Sequence, residues 1–282
     1  MEIKIDKLLS PRTVSVIQVW CSENMGKELA SFYENGRPVE CFALHSTLTA
    51  EISKRLVISR IKPLTRILGR LSRATEDETV QVVLLSALLH DVGKLTYTYR
   101  KGRTEPRHEL VSTLAVFDYL NDVLGEKLGA VAAMSILLHH PPMIRKAIEK
   151  TGLEEITKDT CMMMLAEEVN FLPDSNLLIR DLLNAFGFTS TKISLPNVIT
   201  KADCRKVIDS LRLIIERSVG ELELSYPLYR AAVGGVLSIL IPSDYLAARL
   251  LRKISPSVFW NIVEKEVEKD CALDCSLLGM EK

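Results

Sequence analysis

The sequence predicts an all-α, mainly helical protein with room for one small hairpin. Hydrophobic residues make up 47% of the 282-residue chain and aromatic residues only 6%, a composition typical of a helical core rich in leucine, isoleucine and valine. Apolar residues recur at spacings of three and four along most of the chain, and few runs alternate strictly between apolar and polar. Both observations favour helices over sheets.

The middle of the chain predicts two consecutive helices. The first spans residues 79–90 and ends near Gly93, a residue suited to the left-handed turn that follows many helices. The second begins around Pro106, because proline fits the first turn of a helix, and continues to about Asn121.

A third helix runs from about Gly129 to His140. It must end there, because Pro141 disfavours helical geometry at the residue before it and Pro142 repeats the block. Residues 189–202 are polar and contain proline, which predicts a loop, and three further amphipathic segments follow this loop.

We expect residues 1–282 to form one domain, with a core over about residues 41–254 and a C-terminal helical tail over 255–282. The longest apolar stretches are shorter than the roughly 20 residues of a membrane-spanning helix, and the acidic first segment lacks the layout of a signal peptide. We therefore expect a cytoplasmic protein with no membrane partner. Of the six cysteines, only Cys271 and Cys275 have metal-ligand spacing, and we expect reduced thiols there because a closed zinc site needs four ligands.

Positive charge is concentrated in two stretches of a chain whose formal net charge is zero. Residues 54–73 contain seven basic residues and no acidic one, and residues 94–107 contain five basic residues and one acidic residue. Either stretch alone fits a solvated helix face equally well. Since both border the histidines, together they favour a phosphate-rich polymer as partner. The candidate nucleic-acid-binding residues are Arg100, Lys101, Arg103 and Arg107.

All five histidines lie between His45 and His140, which is not the scatter expected of packing residues. His90 and Asp91 end one predicted helix, and His139 and His140 end another, so four potential ligands lie at the negative ends of helix dipoles, where a cation is favoured. Asp91 has two oxygens and can bridge two cations, while His90 serves one of them.

The remaining candidates have simpler alternatives. Adjacent histidines point about 100° apart on a helix, so His139 and His140 can share one ion only because the helix ends there. His108 lies in a first helical turn, where an exposed polar residue is also common. His45 has apolar neighbours and could be a core residue. Lys94 lies one turn from Asp91 and is a candidate catalytic residue, with a surface lysine as the alternative.

The order of these residues resembles the HD superfamily of metal-dependent phosphohydrolases, because HDVGK matches its HD-x-G-K signature. Within that superfamily, the chain resembles the HD nuclease of type I CRISPR systems in the form made separately from its helicase. The shared features are an early histidine, HD-x-G-K, an H-x3-S pair and a double histidine, found here as His45, residues 90–94, His108 with Ser112, and His139 with His140. The match covers residues 45–140 well and the rest loosely.

The resemblance also implies a late aspartate on a helix. Asp244 is the first choice because small alanines follow it where helices pack closely, while Asp203 and Asp209 are the other candidates. Pro242 would kink or start a helix just before Asp244, so a helix-capping role for Asp244 is the rival interpretation.

By resemblance, one metal would bind His45, His90, Asp91 and Asp244, and the other Asp91, His108, His139 and His140. The two ions would activate a water for in-line attack on phosphorus, while Lys94 offsets charge on the phosphate oxygens. Imidazole-rich ligation favours manganese, cobalt, nickel, copper or iron over magnesium.

The resemblance implies a metal-dependent DNA endo- or exonuclease that acts on single-stranded DNA in CRISPR interference. Nothing in the sequence resembles the Gly-x4-Gly-Lys-Ser/Thr phosphate loop, so a separate helicase and an RNA-guided surveillance complex would be its partners. The alternatives are a nucleotide or cyclic-nucleotide phosphohydrolase, a di-iron oxygenase, and a non-catalytic, metal-stabilised binding subunit.

Overall fold

A computed structural model of the chain describes residues 9–22, 29–34, 37–102, 107–140, 168–189, 192–221 and 225–252. Most of these residues are helical, so the predicted all-α class is confirmed. The helices are α1 (Pro11–Trp20), α2 (Phe42–Ser72), α3 (Glu76–Leu89), α4 (Tyr97–Arg100), α5 (His108–Leu124), α6 (Glu126–Leu138), α7 (Ser175–Ala185), α8 (Lys201–Glu221) and α9 (Ser225–Arg252). The strands are β1 (Ala30–Glu34), β2 (Arg37–Cys41), β3 (Val169–Asn170) and β4 (Val198–Ile199).

Five helices form the centre of the molecule. Helix α5 packs against α6, and α2 packs against both α3 and α9. Every residue is buried from Val82 to Leu89 of α3 and from Leu128 to Leu138 of α6. A helix that is apolar on all sides must be enclosed by other elements. These two helices therefore deliver the residues at their C-terminal ends to the inside of the protein.

The three helices predicted for the centre exist, but the first turns of two of them, α3 and α6, were missed. Helix α3 begins three residues early, at a capping box in which Thr75 and Glu78 bond each other's backbone N–H groups. Helix α6 likewise begins at Glu126. Both first turns are polar, so they show no apolar periodicity. Pro106, Pro141, Pro142, the predicted tail over 255–282 and the Cys271–Cys275 pair lie outside the described residues.

The HD-x-G-K segment forms a 3-10 turn, Val92–Lys94, that is pressed against the start of α5. The prediction of a left-handed Gly93 is wrong, because the described glycines with positive φ are Gly102, Gly125 and Gly187. Gly93 is instead required by space: a Cβ there would lie 2.2 Å from the backbone oxygen of His108. The Gly93 N–H donates to Oγ of Ser112 at 2.7 Å, which fixes the turn to α5.

A small antiparallel hairpin, β1–β2, leads directly into α2, as the sequence allowed. A disulfide between Cys21 and Cys41 joins the end of α1 to the end of β2, a bond that no spacing rule indicated. A second antiparallel pair, β3–β4, was not expected. Its strands contain two residues each, too few to show the alternation that predicts a strand.

Pro242 lies inside α9 and neither starts nor ends it. Because proline has no N–H, it leaves the carbonyl of Ser238, four residues earlier, without its helical donor. Arg60 of α2 donates to this carbonyl at 2.8 Å and to Oγ of Ser238 at 2.9 Å. A residue of the first basic stretch therefore joins α2 to α9.

The part of α9 from Pro227 to Arg252 is long and apolar enough to cross a membrane by length and hydropathy, and half of its most apolar portion is buried inside the protein. The helix is longer than the apolar stretch that was compared with a membrane-spanning helix in the sequence, because it continues into less apolar residues at its C-terminal end. Its partial burial and the aspartate Asp244 within it are typical of a helix in a protein core.

Candidate metal centre

Five helices bring the predicted ligands together at the centre of the protein. Helix α2 supplies His45 from its first turns, and α9 supplies Asp244. His90 and His139 cap the C-terminal ends of α3 and α6, as the sequence predicted, and His108 is the first residue of α5. The negative ends of two buried helix dipoles therefore point at the cluster, which favours positive charge there.

His45, His90, Asp91 and Asp244 form the first cluster, with ligand atoms all within 4.8 Å of one another. Nε2 of His45 lies 3.0 Å from Oδ1 of Asp244 and 3.3 Å from Oδ2 of Asp91, and Nε2 of His90 lies 3.4 Å from both oxygens. Ligands held about 2.0–2.1 Å from one ion are separated from each other by roughly 3–3.4 Å. The four side chains thus have the spacing of ligands to one metal.

His108, His139 and His140 form the second cluster. Oδ1 of Asp91 lies 3.2 Å from Nε2 of His108 and 3.8 Å from Nε2 of His139, while Nε2 of His140 lies 3.1 Å from Nε2 of His108. Asp91 therefore presents Oδ2 to the first cluster and Oδ1 to the second. A carboxylate in this position has the geometry of a bridge between two ions.

The orientation of the histidine rings fits a metal centre. Nδ1 of His90 lies 2.8 Å from the carbonyl oxygen of Ala87, and Nδ1 of His139 lies 2.7 Å from the carbonyl oxygen of Ile136. Each ring therefore directs its Nε2 atom towards the cluster. Nε2 of His45, His90 and His139 and Oδ1 of Asp91 are buried without a hydrogen bond among the described residues. Buried polar atoms normally have partners. Their convergence on two points fits bound cations.

The two clusters differ in their electrostatics. Burial opposes ionisation of Asp91, but the electrostatic effects of the neighbouring His90 and Lys94 outweigh it and hold the pKa of Asp91 well below its usual value. Burial also opposes protonation of His45, yet Asp244, Asp91 and Glu40 raise the pKa of His45 well above its usual value. The first cluster is therefore rich in negative charge, and this charge favours the protonated form of His45.

In the second cluster, burial and the neighbouring His108 lower the pKa of His140 to about 4. Burial together with His140 and His90 lowers the pKa of His139. Both rings are neutral at pH 7, which leaves their lone pairs available to a metal without loss of a proton.

Lys94 is buried, with 7% of its surface exposed, and its Nζ donates to Oδ2 of Asp91 at 2.6 Å. Burial alone would lower its pKa, but the carboxylate of Asp91 outweighs burial and raises the pKa of Lys94. Lys94 is thus permanently charged and is not the surface residue of the alternative interpretation.

Two curated proteins are similar to the chain over most of its length. CRISPR-associated endonuclease Cas3-HD of Pyrococcus furiosus is 25% identical over 226 residues, which cover 78% of this chain and 91% of the relative. The protein of the same name from Methanocaldococcus jannaschii is 27% identical over 223 residues, 76% of this chain and 87% of the relative. The predicted resemblance to the CRISPR-associated HD nucleases is confirmed.

A solved structure of a CRISPR-associated Cas3 HD domain protein from Methanocaldococcus jannaschii aligns with a TM-score of 0.48 and 22% identity, covering 71% of this chain and 95% of that protein. No protein-family model matches the chain.

Glu40 is a buried carboxylate at the centre that the sequence interpretation missed. Its Oε1 lies 2.8 Å from Nδ1 of His45, and Ser31 Oγ donates to the same oxygen. Arg252, at the end of α9, donates from Nε to Oε2 at 2.5 Å and from Nη2 to Oε1 at 3.2 Å. Burial opposes its charge, yet His45 and Arg252 lower the pKa of Glu40 to about 2.

The signal for Glu40 in the sequence was its position five residues before His45, in the segment that forms β2. That signal is weak, because a glutamate on a short strand is usually exposed. The contact with Arg252 spans 212 residues and has no local pattern.

Asp203 and Asp209, the other candidates for the late aspartate, lie on α8. The side chain of Asp203 accepts from the backbone N–H of Thr200 at 2.8 Å, as part of a capping arrangement at the start of that helix. Among the three candidates, Asp244 is the one the structure brings to the histidines. Since Asp244 lies inside α9, it does not cap a helix.

The candidate nucleic-acid residues lie on or beside α4 and before α5. Lys101 is exposed and Arg100 is partly exposed. Arg107 donates from Nε to Oε1 of Glu109 at 3.1 Å, so its charge is paired next to His108. Arg103 lies outside the described residues.

Proposed function

We propose that the chain is a metal-dependent nuclease that cuts single-stranded DNA in CRISPR interference. The observation that carries this proposal is the position of Asp91, whose two oxygens face two separate histidine clusters. Two-metal centres of this kind stabilise both the attacking and the leaving oxygen in phosphodiester hydrolysis. The two curated relatives, both named CRISPR-associated endonuclease Cas3-HD, support the same chemistry.

We assign the first metal to His45, His90, Asp91 and Asp244, and the second to Asp91, His108, His139 and His140. When bound, two divalent ions supply an activated water and offset negative charge on the phosphate. Imidazole-rich ligation favours manganese, cobalt, nickel or iron over magnesium.

The chain's own residues define how a phosphate approaches. The side chains of His108 and Asp244 are 15% and 14% exposed, whereas His45 and His90 are fully buried. The centre therefore opens on the side of His108 and Asp244. An ammonium group has three N–H donors, so Lys94 can hold Asp91 and also donate to a phosphate oxygen that enters from this side.

A polymer substrate is supported by positive charge that lies close in sequence to the metal ligands. Helix α4 and the residue after it carry Arg100 and Lys101, immediately downstream of the HD-x-G-K turn. Because the curated relatives are named CRISPR-associated endonucleases, we propose that a separate helicase and an RNA-guided surveillance complex supply the single strand in the cytoplasm.

The test compares circular single-stranded DNA with its duplex form, with manganese present and over a range of salt concentrations. Cleavage of the circular single strand shows endonuclease activity. The affinity of the protein for single-stranded DNA should fall steeply with salt, because bound phosphates release counterions. Replacement of Arg100, Lys101 and Arg103 by alanine should flatten this slope. Hydrolysis of bis-p-nitrophenyl phosphate, which needs only the metals, should be unchanged by the triple replacement.

Absence of DNA cleavage at every salt concentration, combined with efficient turnover of nucleoside triphosphates or cyclic nucleotides, would contradict the proposal. The phosphohydrolase alternative would then replace it.

A further inference from the structure

A second concave site lies beside α4, outside the metal centre. It has a volume of about 580 Å³ and is lined by Tyr97, Lys101, residues 170–176 and residues 195–197. This volume is within the roughly 300–1,000 Å³ of typical small-molecule sites. None of its lining residues belongs to the ligand clusters described above.

The walls of this cavity are attached to the segment that carries Asp91 and Lys94. The Leu172 N–H donates to the carbonyl of Leu95 at 2.9 Å, and Phe171 pairs with Thr96 in an antiparallel bridge. Leu95 and Thr96 directly follow Lys94 in the chain. The position of the cavity is therefore fixed relative to the metal centre.

A single helical turn separates the cavity from the metal centre. Tyr97 and Tyr99 are two residues apart on α4, so their side chains point about 200° apart around the helix. The ring of Tyr99 lies 5.7 Å from that of His108, and its hydroxyl donates to the Ser31 carbonyl at 3.1 Å. Tyr97 is 40% exposed and lines the cavity. Tyr97 is the third residue after Lys94, so their Cα atoms are at most about 11 Å apart.

The side chains of the cavity suit a nucleobase. Tyr97 and Phe171 offer aromatic faces, on which a base of any identity can stack. Asn170 and Asn197 add amide groups, which can both donate to and accept from base edges. The side-chain oxygen of Asn176 already accepts from the Leu195 N–H at 3.2 Å, so its NH2 group is the part that can donate to a base. Lys101 lies at the same site and suits a backbone phosphate.

We propose that this cavity binds a nucleobase of the single strand, close to the nucleotide whose phosphate lies in the metal centre. The proposal rests on the proposed function, since it takes a polynucleotide as the substrate. It assigns α4 a double role: Tyr99 packs beside the metal ligands, and Tyr97 stacks on a base of the same strand.

The experiment measures binding of a short single-stranded oligonucleotide by fluorescence anisotropy, with calcium in place of the catalytic metal. Tyr97→Ala should weaken binding about 5- to 150-fold, the effect of losing one stacked base, whereas Tyr97→Phe should bind like the wild type. Leu177→Ala and Leu213→Ala remove side chains that are 52% and 45% exposed and lie outside the cavity, so they serve as matched controls. Circular dichroism melts check that each variant is folded.

A scan with single abasic sites makes the test specific. At one position of the oligonucleotide, loss of the base should weaken wild-type binding by the same factor as Tyr97→Ala, and the two changes combined should cause no further loss. Equal binding by Tyr97→Ala and wild type, or additive losses at every position, would overturn the inference. In that case, cleavage of single-stranded DNA by the wild type would still support the proposed function. A wild-type enzyme that neither binds nor cuts the oligonucleotide contradicts both.

Discussion

Oε1 of Glu40 lies 2.8 Å from Nδ1 of His45, on the side of the ring opposite Asp91 and Asp244. This contact holds the imidazole in the orientation that points Nε2 at the first cluster. Since Arg252 binds the same carboxylate from the end of α9, Glu40 also connects the helix of Asp244 to the ring of His45. The first cluster therefore depends on a residue that contacts none of its metal-facing atoms.

Glu40→Gln should weaken metal binding at the first cluster by roughly 10- to 100-fold and leave the second cluster unchanged. The measurement is calorimetric titration of the metal-free protein with manganese, resolved into two sites. Glu109→Gln is the matched control, because Glu109 is also a buried carboxylate and lies beside His108 of the second cluster. Equal weakening of metal binding at both sites by Glu40→Gln would show that Glu40 does not act through the orientation of the His45 ring.

The same carboxylate predicts a pH dependence of stability. The pKa of Glu40 is about 2 in the folded protein against an ordinary value of 4.5, so ionised Glu40 stabilises the fold above pH 4.5. This contribution is lost as the pH falls towards 2. The difference in melting temperature between the metal-free wild type and Glu40→Gln should be largest above pH 5 and should shrink below pH 4.5. A difference that stays constant from pH 7 to pH 3 would contradict the ionised state.

Asp91→Ala should abolish hydrolysis and reduce bound metal at both clusters, because one carboxylate faces both. His108→Ala should reduce metal only at the second cluster and leave one ion bound. Elemental analysis of the purified variants gives the number of ions per chain, with circular dichroism as a check on folding. The same metal content in both variants would exclude a bridging Asp91.

Metal-free enzyme should regain activity with manganese, cobalt or nickel and poorly with magnesium, because imidazole nitrogens bind transition metals better than they bind magnesium. Initial rates of bis-p-nitrophenyl phosphate hydrolysis at equal metal concentration provide the comparison. Full recovery with magnesium alone would contradict the proposed ligand set.

Gly93→Ala should destabilise the protein by more than about 3 kcal/mol, because overpacking at a backbone contact cannot be relieved by a side-chain rotation. The added Cβ would lie 2.2 Å from the His108 oxygen. Gly234→Ala is the matched control: it lies inside α9 with nothing within 4 Å of its Cβ position. Alanine there should stabilise the fold by about 0.5–1 kcal/mol. Urea unfolding measures both, and a similar stability for the two variants would refute the close contact.

The predictions from sequence succeeded where the determinant was local. The sequence predicted correctly that His90 and Asp91 follow one helix and that His139 and His140 follow another. The signals for these helix ends, apolar periodicity and the pair of prolines, are local. Asp244 followed from the resemblance, and the structure brings it to His45.

The failures share a non-local origin. The need for glycine at residue 93 arises from the backbone of His108, and the interaction of Glu40 with Arg252 joins residues that are 212 positions apart in the chain. The Cys21–Cys41 disulfide depends on how α1 lies against the hairpin. Arg60 shows the same limit: the sequence counted it only as one charge of the basic stretch over residues 54–73, whereas its guanidinium donates to the Ser238 carbonyl that Pro242 leaves without a helical donor.

The contact between Arg60 and Ser238 has a consequence for how this protein can vary in evolution. It fixes one point of α9 against α2, and Asp244 lies six residues further along the same helix. Each residue added between them would turn Asp244 about 100° around the helix axis. Substitutions in this interval can be tolerated, but an insertion or deletion of one residue would move the carboxylate away from His45. The spacing from Ser238 to Asp244 should therefore be constant among homologues that keep the first cluster, even where the proline itself has changed.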